Sequence, residues 1–147
     1  MADFLDTSRI VNGHYGYLYL EGEWQTNVTA VTADVEPDYK EVLVCGTRWT
    51  QHKLGSLKGT GTITGFKVTS DLIQLNLPIT DDRRGAVVTE LITKLDDPEA
   101  FGYERIRLKN VKFTKIALAN WRAGDLIEDE WPFVFEGVEL LDPIEAD

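Results

Sequence analysis

A chain of 147 residues, 43% hydrophobic and 27% charged, has the make-up of one globular domain, which at this size hides roughly two thirds of its unfolded surface. Its apolar runs fall short of the ~20 residues of a membrane helix, and residues 1–12 lack the charged-then-apolar order of a secretion signal, so the expected compartment is the cytoplasm of the cell that makes it. A net charge of −10, from 25 acidic and 15 basic residues, excludes tight binding of duplex nucleic acid, where Lys and Arg must displace counterions from phosphate.

In chain order, short segments rich in Val, Ile, Thr, Tyr and Phe recur between turn signals and predict an all-β sandwich or partial barrel with one short flanking helix. Residues 15–20 alternate Tyr15, Tyr17 and Tyr19 with Gly16, Leu18 and Leu20, and Glu21-Gly22-Glu23 reads as a tight turn. Residues 24–35 form a long strand whose alternation slips near Ala30 and Val31, the mark of a bulge. Glu36-Pro37-Asp38 reads as the next turn and residues 40–45 as a strand.

Residues 46–61 read as a long loop: glycine-rich, too long for a hairpin turn, and carrying Trp49 among Arg48, His52, Lys53 and Lys58. Residues 60–68 return as a strand with Gly59, Gly61 and Gly65 on one pleat, which predicts the close approach of another backbone. The expected helix covers residues 70–77, with Ser70 as N-cap and Pro78 as stop. After a polar loop over residues 80–85 come a strand at 86–95 and a turn at Asp96-Asp97-Pro98. A strand at 103–108 has a change of phase at Asn110, and a last strand at 130–140 carries Trp131, Phe133 and Phe135 on one face. Residues 141–147 read as a loose polar tail.

The catalytic patterns sought are not met. His14 and His52 sit in no nucleophile signature, and the carboxylate pairs Asp81-Asp82 and Asp96-Asp97 fall at turns, where acids are normally just solvated. Gly59-Thr60-Gly61-Thr62 precedes a strand, so it lacks the helix N-terminus that a phosphate loop needs. Cys45 is the lone cysteine, which excludes an intrachain disulfide, and with two scattered histidines it falls short of a zinc site. No cofactor is expected. Trp49 stands out, because an aromatic beside Arg in a glycine-rich segment is hard to place in a core and is a common interface anchor. A carbohydrate-binding β-sandwich using the aromatics is the alternative from another class; a hydrolase is a third, without a catalytic constellation to support it.

Four segments together resemble the tail tube proteins of contractile-tailed phages, of the defective-prophage type, and of R-type phage-tail-like bacteriocins. They are Gly13-His14-Tyr15-Gly16-Tyr17-Leu18-Tyr19-Leu20-Glu21-Gly22-Glu23; Gly46-Thr47-Arg48 with His52-Lys53, Gly59-Thr60-Gly61-Thr62 and Phe66-Lys67-Val68-Thr69-Ser70; Gly102-Tyr103-Glu104-Arg105-Ile106-Arg107-Leu108 with Val111; and Glu128-Asp129-Glu130-Trp131-Pro132-Phe133-Val134-Phe135-Glu136. Residues 74–85 do not match, and Gly55 is offset. The resemblance implies a structural, non-enzymatic subunit in a single tail tube domain. Rings of six would join their sheets into one barrel, stacked into a hollow tube that conducts DNA or punctures a target envelope, with sheath, tape-measure and baseplate or tube-initiator proteins as partners. It also implies a loop or hairpin reaching the adjacent ring. The expectation here is that residues 46–61 are that loop, disordered in the free subunit, with Gly46, Arg48, Trp49, His52, Lys53, Gly55, Lys58, Gly59 and Gly61 as contact residues. Asp34, Glu36 and Glu41 are the candidate acids facing the channel.

Overall fold

The structure, a computed structural model, describes residues 5–146. Eight strands follow one another: β1 (Gly16–Leu20), β2 (Glu23–Trp24), β3 (Val28–Val42), β4 (Gln51–Phe66), β5 (Thr89–Leu95), β6 (Glu104–Phe113), β7 (Glu128–Phe135) and β8 (Gly137–Asp142). Helix α1 (Asp71–Asn76) lies between β4 and β5. All pairings are antiparallel, in the order β2-β1-β5-β6-β7-β4-β3 with β8 alongside β6. The two residues of the β1–β2 turn, Glu21 and Gly22, both have positive φ, 50° and 87°, the geometry that matches the right-handed twist of the flanking strands.

Asn110 turns this hydrogen-bonded path into two layers. Its φ of 53° interrupts β6 where a change of phase was expected. Up to Lys109 the strand pairs with β5 and β8; past the break Val111 still pairs with Thr89 of β5, and at Lys112 and Phe113 the strand pairs with β7. Leu18, Leu91 and Leu108 therefore face Ile63, Trp131, Phe133 and Phe135 across the core, with Val111 and Phe113 at the bend. The period-two aromatic row of β7 is core, as its spacing implied: Trp131, Phe133 and Phe135 are all buried. Phe113 meets Trp131 edge-on at 5.7 Å and Phe133 at 6.1 Å, contacts worth roughly 0.5–1.5 kcal/mol each beyond burial. The glycine row of β4 admits backbone, as expected, and these rings as well: a Cβ on Gly65 would lie 2.7 Å from the Asn27 carbonyl oxygen of the neighbouring chain segment. A Cβ on Gly59 would lie 2.5 Å from the Phe135 ring, and one on Gly61 would lie 2.4 Å from the Phe133 ring and 2.3 Å from the Thr32 carbonyl oxygen.

Several boundaries differ from expectation. Glu36-Pro37-Asp38 is no turn: it lies inside β3, where Pro37 pairs with Leu57 beside a register shift, and an edge strand tolerates proline there. Residues 46–61 are not a loop, since β4 begins at Gln51 and the reversal occupies residues 43–50. The strand expected at 86–95 starts at Thr89, and the one at 130–140 breaks at Glu136, whose N–H donates to the Lys109 carbonyl at 3.0 Å. Pro78 does not end the helical course; it opens a 3-10 turn, Leu77–Thr80, and Ser70 stands at the N-cap without a side-chain hydrogen bond.

Both termini are more tied down than their polarity suggests. Of the N-terminal segment read over 1–12, residues 1–4 lie outside the described part. Beyond them Asp6 caps a 3-10 turn, Thr7–Arg9, and two serine hydrogen bonds, side chain first, hold its carboxyl below its usual pKa. The Arg9 guanidinium donates to the Glu99 carbonyl at 2.9 Å and the Asn12 N–H to Asp97 Oδ2 at 2.9 Å. At the other end Leu141 and Asp142 belong to β8 rather than to a loose tail, and Arg105 holds Asp142. These ion pairs, like Arg107–Glu90 at 2.8 Å, are largely solvated and fix geometry more than they add stability.

Candidate assembly interface

β3 and β4 pair from Val28 and Gly65 out to Val42 and Gln51, but β7 accompanies β4 only as far as Gly59. All residues from 32 to 58 are exposed, so the outer part of this hairpin is a two-stranded arm projecting from the body. A lone two-stranded ribbon is marginal in water, and an arm of this length implies something to lie against.

The register sorts the arm's side chains. Paired residues share a pleat, and the pleat that faces the core at Val31 and Ile63 continues outward through Val35, Pro37, Tyr39 and Glu41, opposite Gly59, Leu57, Leu54 and His52. The other pleat carries Asp34, Glu36, Asp38 and Lys40, with Lys53, Lys58 and Thr60 across from them. The core's apolar face thus runs on into solvent, with Tyr39 at 55% and Leu57 at 64% exposure, while the reverse face is charged. Beyond the strands the tip adds Leu43 and Trp49, at 82% and 84%.

Among the expected contact residues, Gly46, with φ 94°, lies at the tip with Arg48 and Trp49. Thr47 Oγ1 there accepts from the Trp49 N–H at 3.2 Å. His52 pairs with Glu41, Lys53 with Lys40, and Lys58 with Glu36. Lys40 is also held by Asp38 at 3.0 Å. Gly55 sits at the arm's bulge, where a Cβ would come 3.1 Å from the Asp38 carbonyl oxygen. Gly59 and Gly61 are not on the free arm but under Phe135 and Phe133. Of the expected acidic trio, Asp34 and Glu36 share the charged pleat, and Glu41 lies on the opposite one. The sequence reading missed Val35, Tyr39, Leu54 and Leu57. For Val35 and Tyr39 the signal is the odd-numbered alternation that runs through Pro37 once Pro37 is not taken as a turn; Leu57 and Leu54 lie opposite Pro37 and Tyr39 on β4, where the register shift between them breaks the alternation.

A second opening adjoins the arm's root. The two layers part toward β8 and leave a cleft of about 810 Å³, lined by Leu18, Leu95 and Val138 from one layer and by Val31, Ala33 and Phe135 from the other. Val138 and Leu140 pair with the core-facing Leu108 and Ile106, yet stay 52% and 56% exposed. Among the aromatics weighed for carbohydrate, Trp131 is buried and Tyr17 packs on Trp24 at 5.4 Å.

One chain thus combines an apolar arm with a half-open sandwich. The profile of the phage tail tube protein family matches residues 3–142, and the chain belongs to that family. The phage-like element PBSX protein XkdM of Bacillus subtilis (strain 168) is 31% identical over 137 residues, 92% of this chain and 93% of that relative. Two cryo-electron-microscopy structures share the fold at low identity. The anti-feeding prophage cap, which terminates that particle's tube, superposes with a TM-score of 0.73 at 11% identity over 96% of this chain and 97% of its own. An extracellular contractile injection system in its sheath–tube complex gives 0.71 at 13% identity over 89% and 90%. The chain is a structural tail protein with the tail-tube fold.

Proposed function

We propose that this chain forms rings of six that stack into the hollow inner tube of a phage tail or tail-like particle, assembled in the bacterial cytoplasm. The single observation that carries this is the arm, whose core-facing pleat stays apolar after its own core has ended. Laterally, β3 is an edge strand with one side of its backbone unpaired, and joining that edge to a neighbour satisfies it while closing a ring. Axially, an arm that meets a different surface of the next copy makes a heterologous contact, which repeats without limit as a filament. The number six, an outer sheath, an inner tape-measure protein and a baseplate or tube-initiator protein at one end are part of this proposal, carried over from the resemblance to tail tube proteins. Negative-stain electron microscopy at rising protein concentration is the test: annular particles and hollow rods are expected, and a chain that stays monomeric at millimolar concentration overturns the reading.

In the free subunit the arm has only its own ladder to hold it. Amides of residues 38–55 are expected to exchange within seconds in dilute protein and to become protected in tubes, while those of β4 beside β7 stay protected in both. Slow exchange throughout the arm of the monomer would contradict this.

Asp34 and Glu36, near the arm's root on the charged pleat, are proposed to face the channel, where carboxylates offer phosphate no cationic partner within a Debye length of ~8 Å. Tubes assembled with Asp34→Lys and Glu36→Lys are expected to retain added DNA; tubes that still shed it at low salt would remove these residues from the lumen.

A further inference from the structure

We infer that Asn12-Gly13 is a deamidation site that Asp97 holds closed, so that release of the N-terminal segment converts Asn12 irreversibly and leaves a segment that does not dock again. This site is independent of the tube reading.

The reactive pair is plain in the sequence. Of the five asparagines, Asn27, Asn76, Asn110 and Asn120 precede Val28, Leu77, Val111 and Trp121, and Asn12 alone precedes glycine. Deamidation begins when the backbone nitrogen of the following residue gives up its proton and attacks the asparagine Cγ; a side chain on that residue hinders the attack, and Gly13 has none. The bond from Gly13 N to Cγ forms, the side-chain nitrogen leaves as ammonia, and the product is a five-membered succinimide. Water then adds to one of the two succinimide carbonyls and opens the ring to aspartate or, more often, to isoaspartate at position 12. One ammonia is lost and one water gained, with no oxidant or reductant.

The fold keeps this pair from reacting. Asn12 is extended, with φ −95° and ψ 128°, which turns the Gly13 nitrogen away from the Asn12 Cβ–Cγ bond, whereas ring closure needs the two nearly eclipsed. Rotation about ψ is opposed on both sides of the bond. The Asn12 N–H donates to Asp97 Oδ2 at 2.9 Å, and Asn12 Oδ1 accepts from the His14 N–H at 2.9 Å. The Asn12 and Gly13 carbonyls accept from the Tyr15 and Gly16 N–H groups of the 3-10 turn that follows. Asp97 is itself fixed: it is 7% exposed, and its other oxygen takes the Glu99 N–H at 2.9 Å. Arg9 adds a second tether to the same loop, with its donor on the Glu99 carbonyl and its guanidinium 4.8 Å over the Phe101 ring. When the segment lifts, these long-range bonds open together and ψ is free to turn.

Reaction then bars the return. Isoaspartate carries the main chain through Cβ, so the N–H that Asp97 grips and the oxygen that caps the 3-10 turn no longer stand at the spacing the loop fits. Aspartate keeps that spacing but sets a second carboxylate on the residue that Asp97 holds, and like charges side by side disfavour each other.

Mass spectrometry of ageing protein tests this by following the exchange of ammonia for water at Asn12. The folded chain should deamidate there at least ~10-fold more slowly than the same chain unfolded in urea, and Asp97→Ala should react about tenfold faster than wild type, the factor expected for losing a hydrogen bond to a charged group. Gly13→Ala, whose added Cβ meets nothing within 4 Å, should suppress the reaction in folded and unfolded chains alike. Reacted chains, separated by anion exchange through their extra negative charge, should be cut by trypsin after Arg9 at least ~10-fold faster than unreacted ones. Equal rates in folded and unfolded wild type overturn the inference. So does an Asp97→Ala chain that keeps its circular-dichroism spectrum and deamidates at the wild-type pace, and so do reacted chains that resist trypsin as well as unreacted ones. If Asp97→Ala does not fold, the two wild-type comparisons decide.

Discussion

Replacing residues 37–57 by Asn-Gly, so that Glu36 and Lys58 close a two-residue hairpin, is expected to give a folded monomer that makes no tubes at concentrations where the full chain does. The paired register places Glu36 opposite Lys58, which is the spacing that an Asn-Gly turn bridges with its two positive-φ residues. The removed segment is exposed throughout and contributes no side chain to the core cluster, so the melting temperature should stay within roughly 4 °C of the full chain.

The size of the assembly defect follows from what the segment could bury. Tyr39, Leu54 and Leu57 are about half exposed in the free subunit, and covering the rest of each is worth about 1 kcal/mol. Leu43 and Trp49, almost fully exposed, add on the order of 2 kcal/mol each. Ordering a flexible arm takes back part of this sum. A threshold concentration raised at least ~100-fold remains, since every 1.4 kcal/mol is about tenfold in affinity. Light scattering and electron microscopy read the threshold directly, and shortened chains forming tubes within about tenfold of the normal threshold would show that the arm is not the axial grip.

What is legible in the sequence is whatever rests on local alternation. Trp131, Phe133 and Phe135 announce a core face, Glu21-Gly22 a turn, and the slip at Ala30 a bulge; the structure has a register shift between Val28 and Ala30. The arm is hidden for a physical reason. Its strands gain nothing from their own core, so no buried face fixes their composition, and Gly55, Pro37 and the polar pleat imitate loop chemistry. The proposed contact residues on the tip, Arg48 and Trp49, can be singled out because a Trp in a glycine-rich segment is conspicuous anywhere. The opposite pleats of Asp34 and Glu41 cannot be assigned without knowing that β3 runs unbroken through Pro37, since a turn there resets the alternation. Gly59 and Gly61 read as contact residues because glycine alone does not say whether a backbone or a ring will approach it.

The second large effect is expected at these two glycines, at the root of the arm. Gly59→Ala and Gly61→Ala both drive a Cβ into an aromatic ring, but they should behave differently when the ring is trimmed. At Gly59 the atoms in the way all belong to Phe135, which lines the cleft and has space to yield into. The single change should cost about 1–3 kcal/mol, and pairing it with Phe135→Leu should recover much of that. At Gly61 the new methyl also meets the Thr32 carbonyl oxygen at 2.3 Å, a backbone atom of the adjacent β3 strand, and the ring it strikes belongs to the most enclosed of the three aromatics, Phe133 at 1% exposure. Relief there requires β3 and β4 to separate and lose ladder hydrogen bonds, so Gly61→Ala should cost ~3 kcal/mol or more. Phe133→Leu should not rescue it, because trimming the ring leaves the carbonyl where it was. Phe133→Ala alone should cost roughly 3–5 kcal/mol, a large part of the roughly 5–15 kcal/mol that typically holds a domain together. Urea midpoints of the singles and doubles decide the matter: rescue at both glycines would mean that β3 moves as easily as a side chain, and the arm would then have no fixed root from which to reach a neighbour.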